Sequence, residues 1–139
     1  MSPQVDQMTM QVLEAAAALV EAFGRHDTSA YFGAFAPDAT FTFYTADEPL
    51  RSRADYEALW ASWEREDGFR VVSCASTDPF VQVVGESGDV GIFTHRVSTE
   101  VRTNAGTETV AERETIVFAR QADGRWLAVH EHLSPLAAN

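Results

Sequence analysis

The chain is poor in the residues that mark several classes of protein. It has no lysine, so its 10 basic residues are all arginine, against 21 acidic residues and a formal net charge of −11. Binding to nucleic acid or to an anionic membrane needs a basic footprint, which this composition does not supply. The single cysteine, Cys74, excludes a disulfide or a thiolate metal cluster within the chain.

Long hydrophobic runs are also missing. The longest apolar run, Ala15–Val20, is far too short to span a bilayer. The first residues do not combine a basic region with a long apolar core, so no signal peptide is expected. These absences predict a cytoplasmic protein that has neither a membrane nor a nucleic acid as its partner.

The residues that are present suit one folded domain. The 139 residues are 45% hydrophobic, 11% aromatic and 22% charged, which is typical of a chain that can bury its own core. We therefore expect a single domain over residues 1–139, with its core over about 8–134.

Helical patterns dominate the first half of the chain. Apolar side chains recurring every three or four residues predict an amphipathic helix over Met8–Arg25. A short helix capped by Thr28 or Ser29 is predicted to extend to Phe35. The stretch Ser52-Arg53-Ala54-Asp55 matches a capping box and predicts the start of a third helix.

Alternating polar and apolar residues mark the remaining segments as strands. The predicted strands are Thr40–Tyr44, Phe69–Thr77, Phe80–Val84, Val90–Arg102, Thr107–Arg120 and Arg125–Ser134. Helices that precede a run of antiparallel strands predict an α+β domain with the helices on one face of a curved sheet. A strongly bent sheet closed by helices makes a cone with a pocket inside.

Two stretches resemble a known superfamily. They are the helix-to-strand step Phe35-Ala36-Pro37-Asp38-Ala39-Thr40-Phe41 and the ending Asp123-Gly124-Arg125-Trp126-Leu127-Ala128-Val129-His130-Glu131-His132-Leu133-Ser134. Both are similar to the nuclear transport factor 2-like superfamily with its cystatin-like cone, and the resemblance extends from about Val12 to Ser134. Within the superfamily, the ending is most similar to SnoaL-like proteins and to the association domain of calcium/calmodulin-dependent kinase II.

The resemblance implies a homodimer that binds a small molecule. It also implies a lyase, isomerase or cyclase acting on a small, largely apolar substrate, with a non-catalytic ligand-binding or homo-oligomeric association module as the alternative. Of the three pocket arginines in the kinase association domain, Arg96 matches the first, whereas Ile116 and Leu133 occupy the other positions. Leu19 and Phe43 stand where ketosteroid isomerase-like members have a tyrosine and an aspartate base, so that mechanism does not transfer as such.

A pocket face follows from Arg96 if side chains alternate strictly along each strand. The same face then collects Glu112, Glu114, Ile116 and Phe118 from the penultimate strand and Leu127, Val129, Glu131 and Leu133 from the last. Such a pocket is largely apolar, with Arg96, Glu114 and Glu131 converging in it.

These three converging residues are the catalytic candidates. A carboxyl group desolvated in an apolar pocket has a raised pKa and can act as an acid or a base near neutral pH. We expect Glu131 or Glu114 to be the base and Arg96 to be its electrostatic partner, and the alternative is an ion pair that only neutralises a polar core. The expected substrate contacts are Tyr44, Tyr56, Trp60, Ile116 and Leu133.

The opposite face of the last strand carries His130 and His132. Two histidines at i and i+2 could share a metal, with His95 on a neighbouring strand, but no closely spaced third ligand is evident. Histidine acid–base catalysis and packing at the sheet face or a dimer interface are the other interpretations. A bulge would exchange the faces beyond it. We assign no metal and no cofactor.

Overall fold

The fold is described for residues 3–136 of a computed structural model. In that range the chain forms α1 (Pro3–Gly24), α2 (Thr28–Gly33), β1 (Phe35–Phe43), α3 (Arg53–Asp67), β2 (Arg70–Val84), β3 (Val90–Thr103), β4 (Gly106–Arg120) and β5 (Trp126–Pro135). The strands make one sheet in the order β1-β5-β4-β3-β2. Only β1 and β5 pair in parallel. The predicted α+β cone with about three helices is confirmed.

Helix α1 buries its apolar stripe against the sheet. Val12, Ala16 and Leu19 are each at most 3% exposed, and the helix packs mainly on β2. The approach is close, because a Cβ atom added to Gly91 would lie 2.7 Å from Cγ2 of Val12. None of the helices formed by residues 3–136 has the length and apolar character needed to cross a membrane.

Several predicted boundaries in the first third of the chain need correction. Helix α1 begins at Pro3 rather than Met8. The cap of α2 is Asp27, whose side chain accepts a hydrogen bond from the Ala30 amide at 3.2 Å. A carboxylate accepts such a bond as readily as the hydroxyl groups predicted for this position. The backbone is already extended at Phe35, which belongs to β1 rather than to the short helix.

Strand β1 is longer than the predicted Thr40–Tyr44 because it accommodates Pro37 in an irregular stretch. Phe35 pairs with a residue of β5, and the register then shifts before pairing resumes at Thr40. Proline has no amide hydrogen and is tolerated in sheets at such irregularities and at edges. Strand β1 is one edge of the sheet.

Helix α3 begins at the predicted capping box and ends at a glycine. The Ser52 hydroxyl accepts a hydrogen bond from the Asp55 amide at 3.1 Å, and Gly68 ends the helix with a left-handed φ of 62°. The helix directs Tyr56 and Trp60 into the core, where they are 3% and 1% exposed. These two side chains position α3 above the concave face of the sheet.

The predicted strands Phe69–Thr77 and Phe80–Val84 form one continuous strand, β2. Asp78 takes a left-handed φ of 54°, and the register with β3 shifts between Thr77 and Phe80. The Asp-Pro pair therefore makes a bulge within the strand instead of a turn between two strands.

Candidate functional site

A small cavity lies between the helices and the concave face of the sheet. Its volume is about 40 Å³, enough for a few water molecules or the reacting end of a ligand. The polar side chains in its wall are Tyr31, Tyr56, Thr99, Glu112, Glu114 and Glu131. The interior of the cone therefore holds phenols and carboxyl groups in a mainly apolar surround.

An open groove of about 590 Å³ adjoins this cavity. The groove and the cavity share the walls formed by Phe23, Tyr56, Thr99, Glu112 and Leu133. A volume of this size is typical of sites for small molecules. The polar interior therefore lies directly beside the groove.

A bulge at Val129 determines which residues of β5 face the cavity. Ala128 and His130 pair with consecutive residues of β4, so Val129 is the extra residue between them. An extra residue changes the faces that later side chains occupy. Beyond the bulge, Glu131 lies on the concave face and is 2% exposed.

Because of the bulge, the face predicted for the first half of β5 is wrong. Strict alternation from Glu131 predicts that Leu127 and Val129 point inward. Instead, Trp126 and Ala128 lie in the core, where they are 9% and 0% exposed. Trp126 is a core residue, as its size predicts, and its Nε1 donates a hydrogen bond to Gln11 Oε1 at 2.9 Å.

Glu131 is the most deeply buried carboxyl group of the site. The Tyr31 hydroxyl lies 3.5 Å from its Oε1 atom and donates to it. Burial, followed by the negative charge of Glu114 and a hydrogen bond with that side chain, holds the pKa of Glu131 well above its usual range. The Glu131 side chain therefore retains its proton at pH values at which an exposed glutamate has lost it.

Two tyrosines from different helices meet beside this carboxyl group. The hydroxyl groups of Tyr31 in α2 and Tyr56 in α3 are 2.9 Å apart. Burial is the main cause that raises the pKa of both phenols, with the charge of Glu131 as the next cause. Both side chains consequently remain neutral hydrogen-bond donors inside the cone.

The partner of Glu114 is a histidine, His95, and not the predicted Arg96. Nε2 of His95 lies 2.7 Å from Oε1 of Glu114, and Nδ1 lies 2.6 Å from the Ser76 hydroxyl. The His95 side chain is 0% exposed. The imidazole thus links the exposed hydroxyl group on β2 to the inner carboxyl group on β4.

The predicted position of Arg96 is wrong. In the pairing of β3 with β4, Arg96 lies opposite Arg113, whereas His95 lies opposite Glu114. Residues directly opposite each other in a sheet project on the same side. Arg96 therefore projects away from the cavity with a side chain 58% exposed, and its Nε lies 3.7 Å from Oδ2 of Asp78.

Glu112 lies where the cavity meets the groove. The Tyr44 hydroxyl donates to Oε2 of Glu112 at 2.6 Å. Burial is the main cause that raises the pKa of Glu112, against the lowering effect of this hydrogen bond. Burial and the Glu112 carboxyl group in turn raise the pKa of Tyr44. The sequence pattern puts Glu112 on the pocket face but does not single it out.

The other predicted substrate contacts divide into two groups. Tyr44 and Trp60 line the groove, and Tyr56 and Leu133 line both the groove and the cavity. Ile116 is 0% exposed and packs in the hydrophobic core, outside the walls of both spaces. Ile116 is therefore a packing residue rather than a substrate contact.

The two histidines of β5 lie away from the cavity. His130 Nδ1 is 2.8 Å from the Thr40 hydroxyl, and His132 is exposed. Their ring centroids are 6.5 Å apart. Across residues 3–136, no group of three His, Cys, Asp or Glu side chains has a geometry that could hold a metal ion.

One buried polar atom on the groove wall has no partner. Trp60 lines the groove, and its indole Nε1 is the buried side-chain donor without an acceptor among residues 3–136. The face of Trp60 stacks on His26, with ring centroids 4.9 Å apart. His26 Nδ1 accepts the Val71 amide hydrogen at 3.0 Å. A buried donor without a partner in the protein is a candidate contact for a ligand or a water molecule.

Sequence patterns miss Tyr31 as a site residue, and they place His95 on the opposite face with His130 and His132. Tyr31 lies in a helix of 6 residues, too short to reveal an inward face by periodicity. The inward position of His95 is predictable from the short turn Asn104-Ala105, because this turn joins β3 to β4 and sets their register. Counting back from that turn places His95, and not Arg96, beside Glu114.

The fold and the polar interior define an α+β cone of the type that the sequence resembles. The sequence matches the SnoaL-like domain family over residues 12–138, and the chain belongs to this family. No curated protein matches the sequence at a significant level.

Solved structures show the same fold at low sequence identity. A nuclear transport factor 2-like superfamily protein of Salmonella enterica superposes with a TM-score of 0.80 at 16% identity, over 96% of this chain and 94% of that one. A protein of Catenulispora acidiphila in complex with S-DNPA gives 0.73 at 15% identity, over 92% of each chain. The association domain of C. elegans calcium/calmodulin-dependent kinase II gives 0.72 at 18% identity, over 96% and 99%.

Proposed function

We propose that this SnoaL-like protein binds a small, largely apolar molecule in the groove and catalyses proton transfer on it, as a lyase or isomerase does. The observation that carries the proposal is the buried carboxyl group of Glu131, 2% exposed, at the inner end of an aromatic groove. A carboxyl group of raised pKa beside a second carboxylate is a common arrangement for dividing acid and base roles.

The roles follow from the surroundings of each group. Glu131 retains its proton and acts as the general acid, and the neutral phenol of Tyr56 donates a hydrogen bond to the same substrate oxygen. Glu114, held by His95 at 2.7 Å, acts as the base. In a dehydration, Glu114 takes the proton from carbon, the carbon–oxygen bond breaks, and the oxygen leaves as water with the Glu131 proton.

Arg96 has no part in this mechanism because it lies on the outer side of β3. The cavity is small, so only the reacting end of the substrate enters it. The groove wall supplied by Tyr56, Trp60 and Trp63 holds the apolar body. A cavity for the reacting end and a groove for the apolar body together suit the small, largely apolar substrate that the resemblance implies.

Proton exchange on a simple ketone tests the base and the acid together. In D₂O, the protein is expected to speed exchange of the α-protons of benzylacetone, followed as loss of their proton NMR signal. Glu114→Gln and Glu131→Gln should each slow this exchange by roughly a hundredfold or more. Glu86→Gln is the matched control, since Glu86 is exposed in the turn after β2. Equal rates in all four proteins would contradict the proposed chemistry.

A ligand-binding association module is the second candidate function. Its support is the likeness to the kinase association domain and the exposure of Val72 and Phe80 on edge strand β2, at 37% and 64%. Sedimentation equilibrium tests it: a stable oligomer that Phe80→Asp dissociates favours assembly, whereas a monomer in both forms contradicts it.

A further inference from the structure

The charges around the groove and cavity indicate what kind of molecule enters. The groove wall includes the carboxylates of Asp67, Glu108 and Glu112, and the cavity wall adds Glu114 and Glu131. Neither wall includes an arginine or a histidine among residues 3–136. The groove and the cavity are therefore lined by acidic side chains and by no basic side chain among these residues.

The arginines of the chain do not neutralise these groups. Within the part of the chain that the structure describes, the arginine ion pairs join other acids, for example Arg96 with Asp78, Arg120 with Asp89 and Arg53 with Glu57. Of the five lining carboxyl groups, only Glu114 has an ion-pair partner there, and that partner is a histidine. Among residues 3–136 these acidic side chains thus have no basic partner other than His95, and Glu112 accepts a hydrogen bond from the Tyr44 hydroxyl.

Aromatic rings and a free donor form the rest of the groove. Phe23, Tyr56, Trp63 and Phe69 line it, and aromatic faces attract organic cations as well as apolar groups. Trp60 also lines the groove, and its buried Nε1 has no acceptor within residues 3–136, so a ligand or a water molecule is the partner still open to it. Carboxylates beside aromatic faces are a combination suited to an amine on an aromatic body.

We infer that the ligand is a small organic cation, namely a protonated amine on an aromatic or apolar body. The ammonium group pairs with Glu112 where the groove meets the cavity, Glu108 adds negative charge further along β4, and the body packs on the aromatic wall. This inference rests on the proposed function, since it names the substrate class of the same site. Anionic molecules are rejected because the lining carboxylates of Asp67, Glu108, Glu112 and Glu114 repel them.

Three probes of one shape and different charge test the inference. Calorimetric titration at neutral pH compares phenethylamine, phenethyl alcohol and phenylacetate. We expect the amine to bind at least about tenfold more tightly than the alcohol, and the acid to show no binding, because an unlike charge pair near a protein surface is worth a factor of this order.

Substitutions locate the effect at the groove. Glu112→Gln and Glu108→Gln should each reduce the advantage of the amine over the alcohol by about threefold or more. Glu86→Gln makes the same chemical change at an exposed turn and should leave the advantage intact, which separates the groove from general attraction by the net charge of −11. An equal loss in all three variants would overturn the inference.

The outcomes separate this inference from the proposed function. Equal or tighter binding of the alcohol, or binding of phenylacetate, overturns the cationic ligand and leaves the pocket and its proton chemistry standing. Binding of none of the three probes contradicts the groove as a ligand site, and the cationic ligand with it. Tighter binding of the amine together with unchanged benzylacetone exchange in Glu131→Gln supports the ligand class and contradicts the catalytic proposal.

Discussion

His95 and Glu114 lie opposite each other on β3 and β4, with Nε2 and Oε1 2.7 Å apart. The bond joins the carboxyl group of Glu114, whose side chain is 11% exposed, to an imidazole whose Nδ1 lies 2.6 Å from the Ser76 hydroxyl. Glu114 in turn raises the pKa of Glu131. The fold therefore connects an exposed position on β2 to the innermost acid through side-chain hydrogen bonds.

Replacing His95 should destabilise the protein more than replacing Ser76. His95→Leu removes two hydrogen bonds from a fully buried position and leaves Glu114 without its partner. We expect a loss of roughly 2–4 kcal/mol in the free energy of unfolding. Ser76→Ala removes one bond at an exposed position and should cost about 1 kcal/mol. Urea unfolding measures both, and losses of equal size would contradict the linking role of His95.

The stability of the protein should fall as the pH rises above about 4.5, because Glu131 has a raised pKa in the folded state. The unfolded chain releases this proton near the ordinary value, whereas the folded chain retains it. The unfolded state then binds fewer protons, so the free energy of unfolding decreases with pH until the folded pKa is reached. The slope from one such group is at most about 1.4 kcal/mol per pH unit.

Unfolding of Glu131→Gln from about pH 5 to pH 8 measures this effect. The free energy of unfolding of the variant should fall less steeply with pH than that of the wild type. The variant therefore becomes more stable relative to the wild type as the pH rises. Glu112 also has a raised pKa, from burial first, so a smaller decline of the same sign persists. Glu86→Gln should follow the wild-type profile. A Glu131→Gln profile parallel to the wild type would contradict the buried, protonated carboxyl group.

Local signals were sufficient to predict most of the fold. Ser52 and Gly68 mark the ends of α3, and periodic apolar residues mark α1. The strands were predictable because alternation and turn residues agree with each other along the second half of the chain. These features depend on a few neighbouring residues, so one sequence is enough to recognise them.

Side-chain faces were harder to predict because they depend on register. A single bulge at Val129 exchanges Leu127 for Ala128 in the core, and no glycine in β5 indicates it. The error at Arg96 has a different cause: its predicted position rests on a resemblance, although the short turn at Asn104-Ala105 sets a register that puts His95 inside. Local turn geometry is the better guide where the two disagree.

Cys74 should react slowly with thiol reagents. Burial raises the pKa of its thiol to about 11, against the lowering effect of the hydrogen bond from Thr99. At pH 8 the thiolate fraction, and with it the rate, should be roughly two orders of magnitude below that of an unperturbed cysteine. The rate of colour development with a disulfide reagent, compared with glutathione, measures this. A rate similar to that of glutathione would contradict the effect of burial on the pKa of this thiol.

Gly91 should tolerate no side chain while Val12 faces it. A Cβ atom there would lie 2.7 Å from Cγ2 and 3.0 Å from Cγ1 of Val12, so Gly91→Ala must displace α1 from β3, at a cost of about 1–3 kcal/mol. Gly33→Ala is the matched control, because a Cβ atom at Gly33 meets nothing within 4 Å. The double variant Gly91→Ala with Val12→Ala should lose less stability than the sum of its single variants. Strict additivity in thermal or urea unfolding would show that the contact between these two residues does not set the helix position.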